Sequence, residues 1–600
     1  MGGARAHHDG SLLYVSQPYP SIGDELTLSV RVDPELGSSE VFVRSTLDGD
    51  QRFSRCVEVD RGGAGDTLWE ASITMTNQCM NYRFLIQTPR GGVTLNTVGL
   101  HDCEVTDVHD FRLTTDPEPP RWAAEAVFYE VFLDRFARGC EPDPSTGGTP
   151  DWAVPVEWDD AVAHGTDDGV RQVYGGDLRG LIEHLGHLGQ LGVTAIYLTP
   201  FFPGTSNHRY DASTFDHVDP LLGGDPALLG LTSAAHARSI RVVGDLTLNH
   251  TGNTHDWFTA AVRDPSCPEA GFYLFTDHPH RYETFGGVPS MPKLDHRNPE
   301  LRRQLFEGTG SVVHRYLEGF GLDGWRIDVA QSAGHCDASN RNLPTARATV
   351  ATARAAGTDA YVIAEHQFDA GEALAGDAWH GTMAYAAFTR PLWSWLAERD
   401  IDQYWGVPAA HTPYTGSTMA KVMDGFTGSV PWRSRLHSLN LLDSHDTPRL
   451  LSIVGRERYQ VAVGMLLTMP GIPMVFTGDE IGTHGVDLED GRRPFRWDRT
   501  TWNHKLLSWY QQLIRLRRTH PALVSGGMRW VHTSDDVVIY ERAHPQETLI
   551  VHAARRAQEL MPCPVSAIDL LGDHNLSPGD QFPTGPGFGV WLTGAHPTER

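Results

Sequence analysis

Cysteine is scarce in this chain of 600 residues. The seven present (Cys56, Cys79, Cys103, Cys140, Cys267, Cys336 and Cys563) are scattered, odd in number and without a C-x-x-C pair. That excludes a disulfide framework and offers no zinc-ligand spacing, so reduced thiols in a cytoplasmic protein are expected. Positive charge is also short: 49 Lys and Arg against 75 Asp and Glu leave a net −26. Such a field repels phosphate backbones and anionic lipid, so the chemistry expected involves no nucleic acid and no membrane, while a neutral ligand is easily accommodated. Long apolar runs are missing too. The best, residues 461–476, is interrupted by Pro470, Gly471 and Pro473, short of the ~20 residues a spanning helix needs. The opening MGGARAHHDG lacks the apolar stretch of a secretory signal.

What is present is a globular composition, 40% apolar and 21% charged, with 61 Gly and 38 Pro marking many turns. Three textures follow one another. Over residues 1–120 the pattern has period two: Leu26, Leu28, Val30 and Val32 alternate with polar residues, and Tyr82, Phe84 and Ile86 repeat it. This predicts an N-terminal β-sandwich, ended by a linker at 115–121, TDPEPPR. Over 121–525 short apolar runs alternate with amphipathic helices. Strands are expected at 127–131, 194–197, 241–245, 324–328, 361–364, 383–386, 438–442 and 474–477, which predicts a (β/α)₈ TIM barrel of the α/β class. An insertion over 251–297, part of a connection of roughly fifty residues after the third strand, is long enough to be functional. Alternation returns over 526–600 (Val537, Ile539, Leu549, Val551) and predicts a C-terminal β-domain.

In a barrel the chemistry sits at the carboxyl ends of the strands. Strand three delivers DLTLNH, with Asp245, Asn249 and His250. Strand four delivers GWRIDVA, with Arg326 and Asp328; strand five VIAEH, with Glu365; strand seven LLDSHD, with His445 and Asp446. Arg326 and Asp328 are two apart and project to one side, where the guanidinium favours an ionised carboxylate, as a nucleophile requires. Glu365 follows the apolar run 361–364 beside that like charge, which suits it to be a proton donor. Two carboxyls on neighbouring strands, ~5 to 5.5 Å apart, are the equipment of retaining glycoside hydrolysis. Asp446 supplies a third acid, and His250 and His445 supply hydrogen bonds.

These segments resemble the conserved regions of the α-amylase family, glycoside hydrolase family 13. GVTAIYLTP resembles the family's second strand, SNHRYD its substrate-stacking tyrosine region and GIPMVFTGDEIG its last strand. The resemblance covers nearly the whole chain. It implies Asp328 as nucleophile, Glu365 as acid/base, Asp446 as third acid and Tyr210 as the ring stacked on the sugar, with His250, Arg326 and His445 binding substrate. MPKLD, SHDT and AEH are most similar to the branch of maltodextrin glucosidases, neopullulanases and cyclomaltodextrinases, with maltodextrin glucosidase foremost. The function implied is a retaining α-glycosidase acting on α-1,4 bonds of short maltodextrins; an α-glucan transglycosylase or trehalose synthase uses the same residues and stays open. The resemblance also implies an α-glucan oligosaccharide as partner and motivates a homodimer through the N-terminal sandwich. No cofactor is required. Asn249 resembles a family position for structural calcium but is equally a turn residue, and no metal ligand set is assigned.

Overall fold

The structure is a computed structural model, describing residues 5–47, 49–59, 66–140, 148–337, 339–357, 359–408, 410–557 and 561–594. The outermost residues of the expected end domains, 1–4 and 595–600, lie outside the described residues. At the N-terminal end a four-stranded and a six-stranded antiparallel sheet face each other. Leu26, Leu28, Val30 and Val32 of the first meet Val41, Val43, Phe84 and Ile86 of the second, so the alternate residues picked out by period two form one buried layer.

The centre is an eight-stranded parallel sheet. In chain order its strands are β1 (Phe128–Val131), β2 (Ala195–Leu198), β3 (Arg241–Thr247), β4 (Gly324–Asp328), β5 (Tyr361–Ala364), β6 (Gly381–Thr382), β7 (Leu439–Leu441) and β8 (Ile472–Phe476). Each of β1 to β5 lies beside the next; β8 pairs with β1 and β7 with β8. A parallel bridge from Met383 to Leu439 joins the β6 edge to β7 and closes the (β/α)₈ barrel. Side chains alternate inward and outward: Phe128, Ala195, Tyr197, Val243, Ile363, Leu439 and Met474 fill the interior, while Val131, Ile196, Leu198, Val242, Trp325 and Val362 pack under the helices.

The expected sixth strand, 383–386, is displaced. The strand is Gly381–Thr382, and Tyr385–Thr389 turns into a single π-helical segment. The connection after β3 is not an open loop either. It holds the helix Asp256–Arg263 and a short hairpin, Phe275–Asp277 with Arg281–Tyr282, and returns beside β3 where the Leu294 N–H donates to the Asn249 carbonyl at 3.0 Å. Beyond the barrel, a five-stranded antiparallel sheet docks on the helix Arg456–Thr468. The approach is so close that a Cβ on Gly464 would lie 2.4 Å from the Phe588 ring, which is why glycine stands there.

Candidate active site

Register places the acids. Arg326 of β4 lies opposite Asp245 of β3 and Ile363 of β5. The Glu365 N–H, just past the end of β5, donates to the Ile327 carbonyl at 2.8 Å. Asp328 and Glu365 are thereby level at one rim of the barrel. Asp446 reaches the same rim from the turn after β7: Arg326 Nη2 is 3.1 Å from Glu365 Oε2 and 3.9 Å from Asp446 Oδ2, while Arg326 Nη1 is 2.8 Å from Asp328 Oδ1 and 3.0 Å from Asp245 Oδ2. One buried guanidinium is therefore the hub of four carboxylates.

This sharing corrects the sequence argument, which gave the charge of Arg326 to Asp328 alone. Burial pushes the Asp328 carboxyl well above the usual carboxylate range; Arg326 opposes the shift, and the charges of Glu365, Asp245 and Asp446 add to it. Crowding of carboxylates at one guanidinium therefore favours holding a proton at Asp328 over full ionisation. Asp446 goes the other way. Burial opposes it, but His445, Arg492 and Arg326 together hold its carboxyl below the usual range.

His445 shows how the histidines are set. Its Nδ1 faces the carboxylate of Glu130, and its Nε2 lies 2.7 Å from the Tyr210 hydroxyl and 3.2 Å from Asp446 Oδ2. Tyr210 gives its only hydroxyl hydrogen to Asp245 Oδ2 at 2.8 Å, so Nε2 must donate, and so must Nδ1. Both ring nitrogens face acceptors, an arrangement that favours the imidazolium form of His445. Although burial lowers its basicity, Asp446 and Glu130 outweigh burial and its pKa is raised. His250 is the opposite case: burial lowers its pKa to about 4 and it is neutral. Its ring stacks on Phe285 from the insertion, 5.1 Å between centroids, and its Nε2 lies 3.9 Å from Asp328 Oδ2; neither of those two atoms has a hydrogen-bond partner. The Tyr210 ring stacks on His445 at 5.4 Å and 15°.

All seven residues singled out from the sequence come together: Asp328, Glu365, Asp446, Tyr210, His250, Arg326 and His445. Two that the sequence reading passed over join them. Glu130 is fully buried in β1 behind His445. Arg492 donates from Nε to the His445 carbonyl at 2.6 Å and sets Nη2 3.5 Å from Asp446 Oδ1. The only hint of Glu130 is a lone acid in the apolar run FYEV, and Arg492 sits in an aperiodic loop. Backbone strain marks the same place. Val329, directly after Asp328, has φ +43°, a conformation costly for a β-branched residue, held by its N–H donating to Glu365 Oε2 at 2.7 Å.

Glu130 makes the first prediction. Glu130→Gln removes a charge that raises His445, so its pKa falls. A raised pKa means that the protonated ring stabilises the fold below the ordinary histidine value and loses that contribution as pH rises through the folded-state value. In the variant this loss comes at lower pH, and the alkaline limb of the kcat/KM profile should move acidward with it. An unmoved limb would detach His445 from catalysis.

For calcium, Asn249 does present a buried Oδ1 without a partner. Among the described residues no three His, Cys, Asp or Glu side chains cluster to hold a metal ion, so no carboxylate set accompanies Asn249 for calcium. No described helix is long and apolar enough to cross a membrane.

The family model described as "Alpha amylase, catalytic domain" matches residues 130–505. Neopullulanase 2 of Thermoactinomyces vulgaris is 30% identical over 491 residues, 79% of this chain and 77% of its own. A cyclomaltodextrinase of Geobacillus thermopakistaniensis (strain MAS1) is 31% identical over 464 residues, 75% of this chain and 72% of its own. In fold, the chain superposes on a solved cyclomaltodextrinase with a TM-score of 0.73 at 24% identity, covering 98% of this chain and 99% of that one. These relatives bear the branch expected from the sequence, in its neopullulanase and cyclomaltodextrinase members rather than as maltodextrin glucosidase. The chain belongs to the α-amylase family and is a glycoside hydrolase.

Proposed function

We propose that the enzyme hydrolyses α-1,4-glucosidic bonds of short maltodextrins and their cyclic forms with net retention, as a neopullulanase or cyclomaltodextrinase type of glycosidase. One observation carries this: Asp328, Glu365 and Asp446 converge on the two terminal nitrogens of a single guanidinium. Asp328 Oδ1 and Glu365 Oε2 lie 2.8 and 3.1 Å from the two neighbouring nitrogens of that group, and the retaining outcome rests on the family resemblance, with a carboxyl pair ~5 to 5.5 Å apart as its requirement.

In this reading Asp328 Oδ1 is held by Arg326 while Oδ2, free of hydrogen bonds, attacks the anomeric carbon. The glycosidic bond breaks as Glu365 protonates the leaving oxygen, giving a glycosyl ester on Asp328. Esterification removes one negative charge from the cluster. Glu365, now ionised, takes a proton from water, and the hydroxyl formed attacks the same carbon and releases Asp328. Asp446 and the His445 imidazolium hold sugar hydroxyls on the opposite side, where the Asp446 charge stabilises the oxocarbenium-like state. Tyr210 offers its ring to the sugar at the cleavage point.

Incubation with maltotriose, a cyclodextrin and pullulan tests the reading. Proton NMR should show the α-anomer appearing first, and chromatography should show glucose or small maltooligosaccharides from the linear and cyclic substrates. First appearance of the β-anomer overturns retention, and trehalose as the main product overturns hydrolysis in favour of isomerisation.

A further inference from the structure

Basic residues are the minority in this chain, 49 against 75 acids, yet one groove collects them. It has a volume of about 720 Å³ and is formed by the start of the helix Arg456–Thr468, the turn at 481–484, the loop at 493–496 and the segment 501–505. Arg456, His484, Arg493, Arg496, His504 and Lys505 line it, and no Asp or Glu does. Arg493 is paired with the buried Asp490 at 2.6 Å. Among the described residues, Arg456, Arg496 and Lys505 have no carboxylate partner within ion-pair distance. Burial lowers the His484 pKa, and Arg493 and Arg456 lower it further, so those two cations converge on it.

The placement runs against helix electrostatics. Positive side chains normally gather at the last turn, because the N-terminus already carries a partial positive charge. Here Arg456 opens a thirteen-residue helix whose N-cap, Gly455, supplies no side-chain acceptor; the one acid of its first turn, Glu457, does not line the groove. His504 and Lys505 open a sixteen-residue helix with no acid in its first turn, its N-cap Asn503 accepting only the Leu506 N–H at 3.2 Å. Two positive helix ends and three unpaired cations thus share one concave surface in a molecule of net charge −26. Arg456, Arg496 and Lys505, unpaired among the described residues, repel one another across the groove; an anion placed between them turns those terms attractive. The N–H groups of the uncapped turn and the Arg and Lys side chains are the donors that bind phosphoryl oxygens.

We propose that this groove is a binding site for a phosphate dianion, presented either as inorganic phosphate or as the phosphate of a small sugar ester. It is separate from the acid cluster, and its occupancy does not depend on the glycosidase reading.

Calorimetric titration of the whole chain tests it, at about 0.15 M ionic strength, where screening removes non-specific attraction beyond ~8 Å. The probes are inorganic phosphate, a hexose 6-phosphate and the neutral hexose. The expected result is one saturable site per chain for at least one phosphate carrier. Equal affinity for both carriers identifies the free ion as ligand, and tighter binding of the ester identifies the sugar phosphate. Arg456→Ala and Lys505→Ala are each expected to weaken binding ~3- to 10-fold, as loss of a charge-assisted contact does. The triple variant Arg456→Ala/Arg496→Ala/Lys505→Ala is expected to abolish it with an unchanged circular dichroism spectrum, because all three side chains are exposed. Asp328→Asn is expected to bind phosphate as the parent does. No saturable heat with either carrier up to ~10 mM overturns the proposal. So does undiminished binding by the triple variant, heat with the neutral hexose equal to that with its ester, or capture of a long polyanion such as heparin alone.

Discussion

Asp328→Asn should reduce kcat on maltotriose by on the order of 10⁴-fold while leaving the melting temperature within a few degrees of the parent. An amide cannot form the glycosyl ester, so the low-barrier path through a covalent intermediate is removed rather than slowed. The fold should tolerate the exchange because the side chain is nearly isosteric and Arg326 keeps Asp245 at 3.0 Å and Glu365 at 3.1 Å as partners. The variant also relieves like-charge crowding in a cluster where burial already raises the Asp328 pKa. A small gain in stability with a collapse of activity is therefore the expected signature, the reverse of what loss of a structural ion pair produces. Calorimetric melting beside steady-state kinetics checks it. Activity within tenfold of the parent would remove Asp328 from the nucleophile's role, and a large fall in melting temperature would make it a structural residue.

Two of the acids legible in the sequence share one property: each closes or directly follows a strand whose apolar run is short and bounded. Asp328 ends Gly324–Asp328 and Glu365 follows Tyr361–Ala364, and both strands lie where the residues predicted them. Period two then put Arg326 and Asp328 on one face. The π-helical displacement after β6 was not legible, because a buried apolar run such as Met383 to Ala386 has no polar side to reveal whether its period is 2 or 3.6. Glu130 was hidden for a related reason. It is one acid in a strand buried on both faces, and only closure of the barrel, which brings β1 beside β8 and the turn after β7, shows that it faces His445. Arg492 depends on a loop whose path follows no periodicity, and the sharing of Arg326 among four acids is a matter of three dimensions alone. Sequence spacing locates groups along a strand; it does not count how many neighbours compete for one charge.

Glu365→Gln should separate the two halves of the reaction. With maltotriose, whose leaving group is a sugar alkoxide, the variant should lose on the order of 10³-fold in kcat, since nothing protonates the departing oxygen. With an α-glucosyl fluoride, whose leaving group departs without a proton, ester formation on Asp328 should proceed at close to the parent rate. The ester should then accumulate, because no base activates water. Azide needs no general base, so millimolar azide should restore turnover and yield the α-glucosyl azide, with the configuration inverted twice and therefore retained. The geometry supports this division. Glu365 Oε2 is anchored by the Val329 N–H at 2.7 Å and by Arg326, and Oε1 receives a hydrogen bond from Gln367 at 3.1 Å, so an amide whose carbonyl takes the Oε2 position keeps the first two contacts, with its NH₂ facing a Gln367 side chain that must turn its own oxygen inward. Mass spectrometry of the quenched variant should find one hexosyl unit on the peptide containing Asp328. Azide rescue that produced the β-azide would mean direct displacement without an ester, and rescue with no dependence on leaving group would place the acid elsewhere. Because Val329 is held in its strained conformation by that same Glu365 oxygen, the experiment also reads whether the strain next to Asp328 serves the nucleophile: an amide that turns its NH₂ toward Val329 would release it, and fluoride turnover would then fall together with maltotriose turnover.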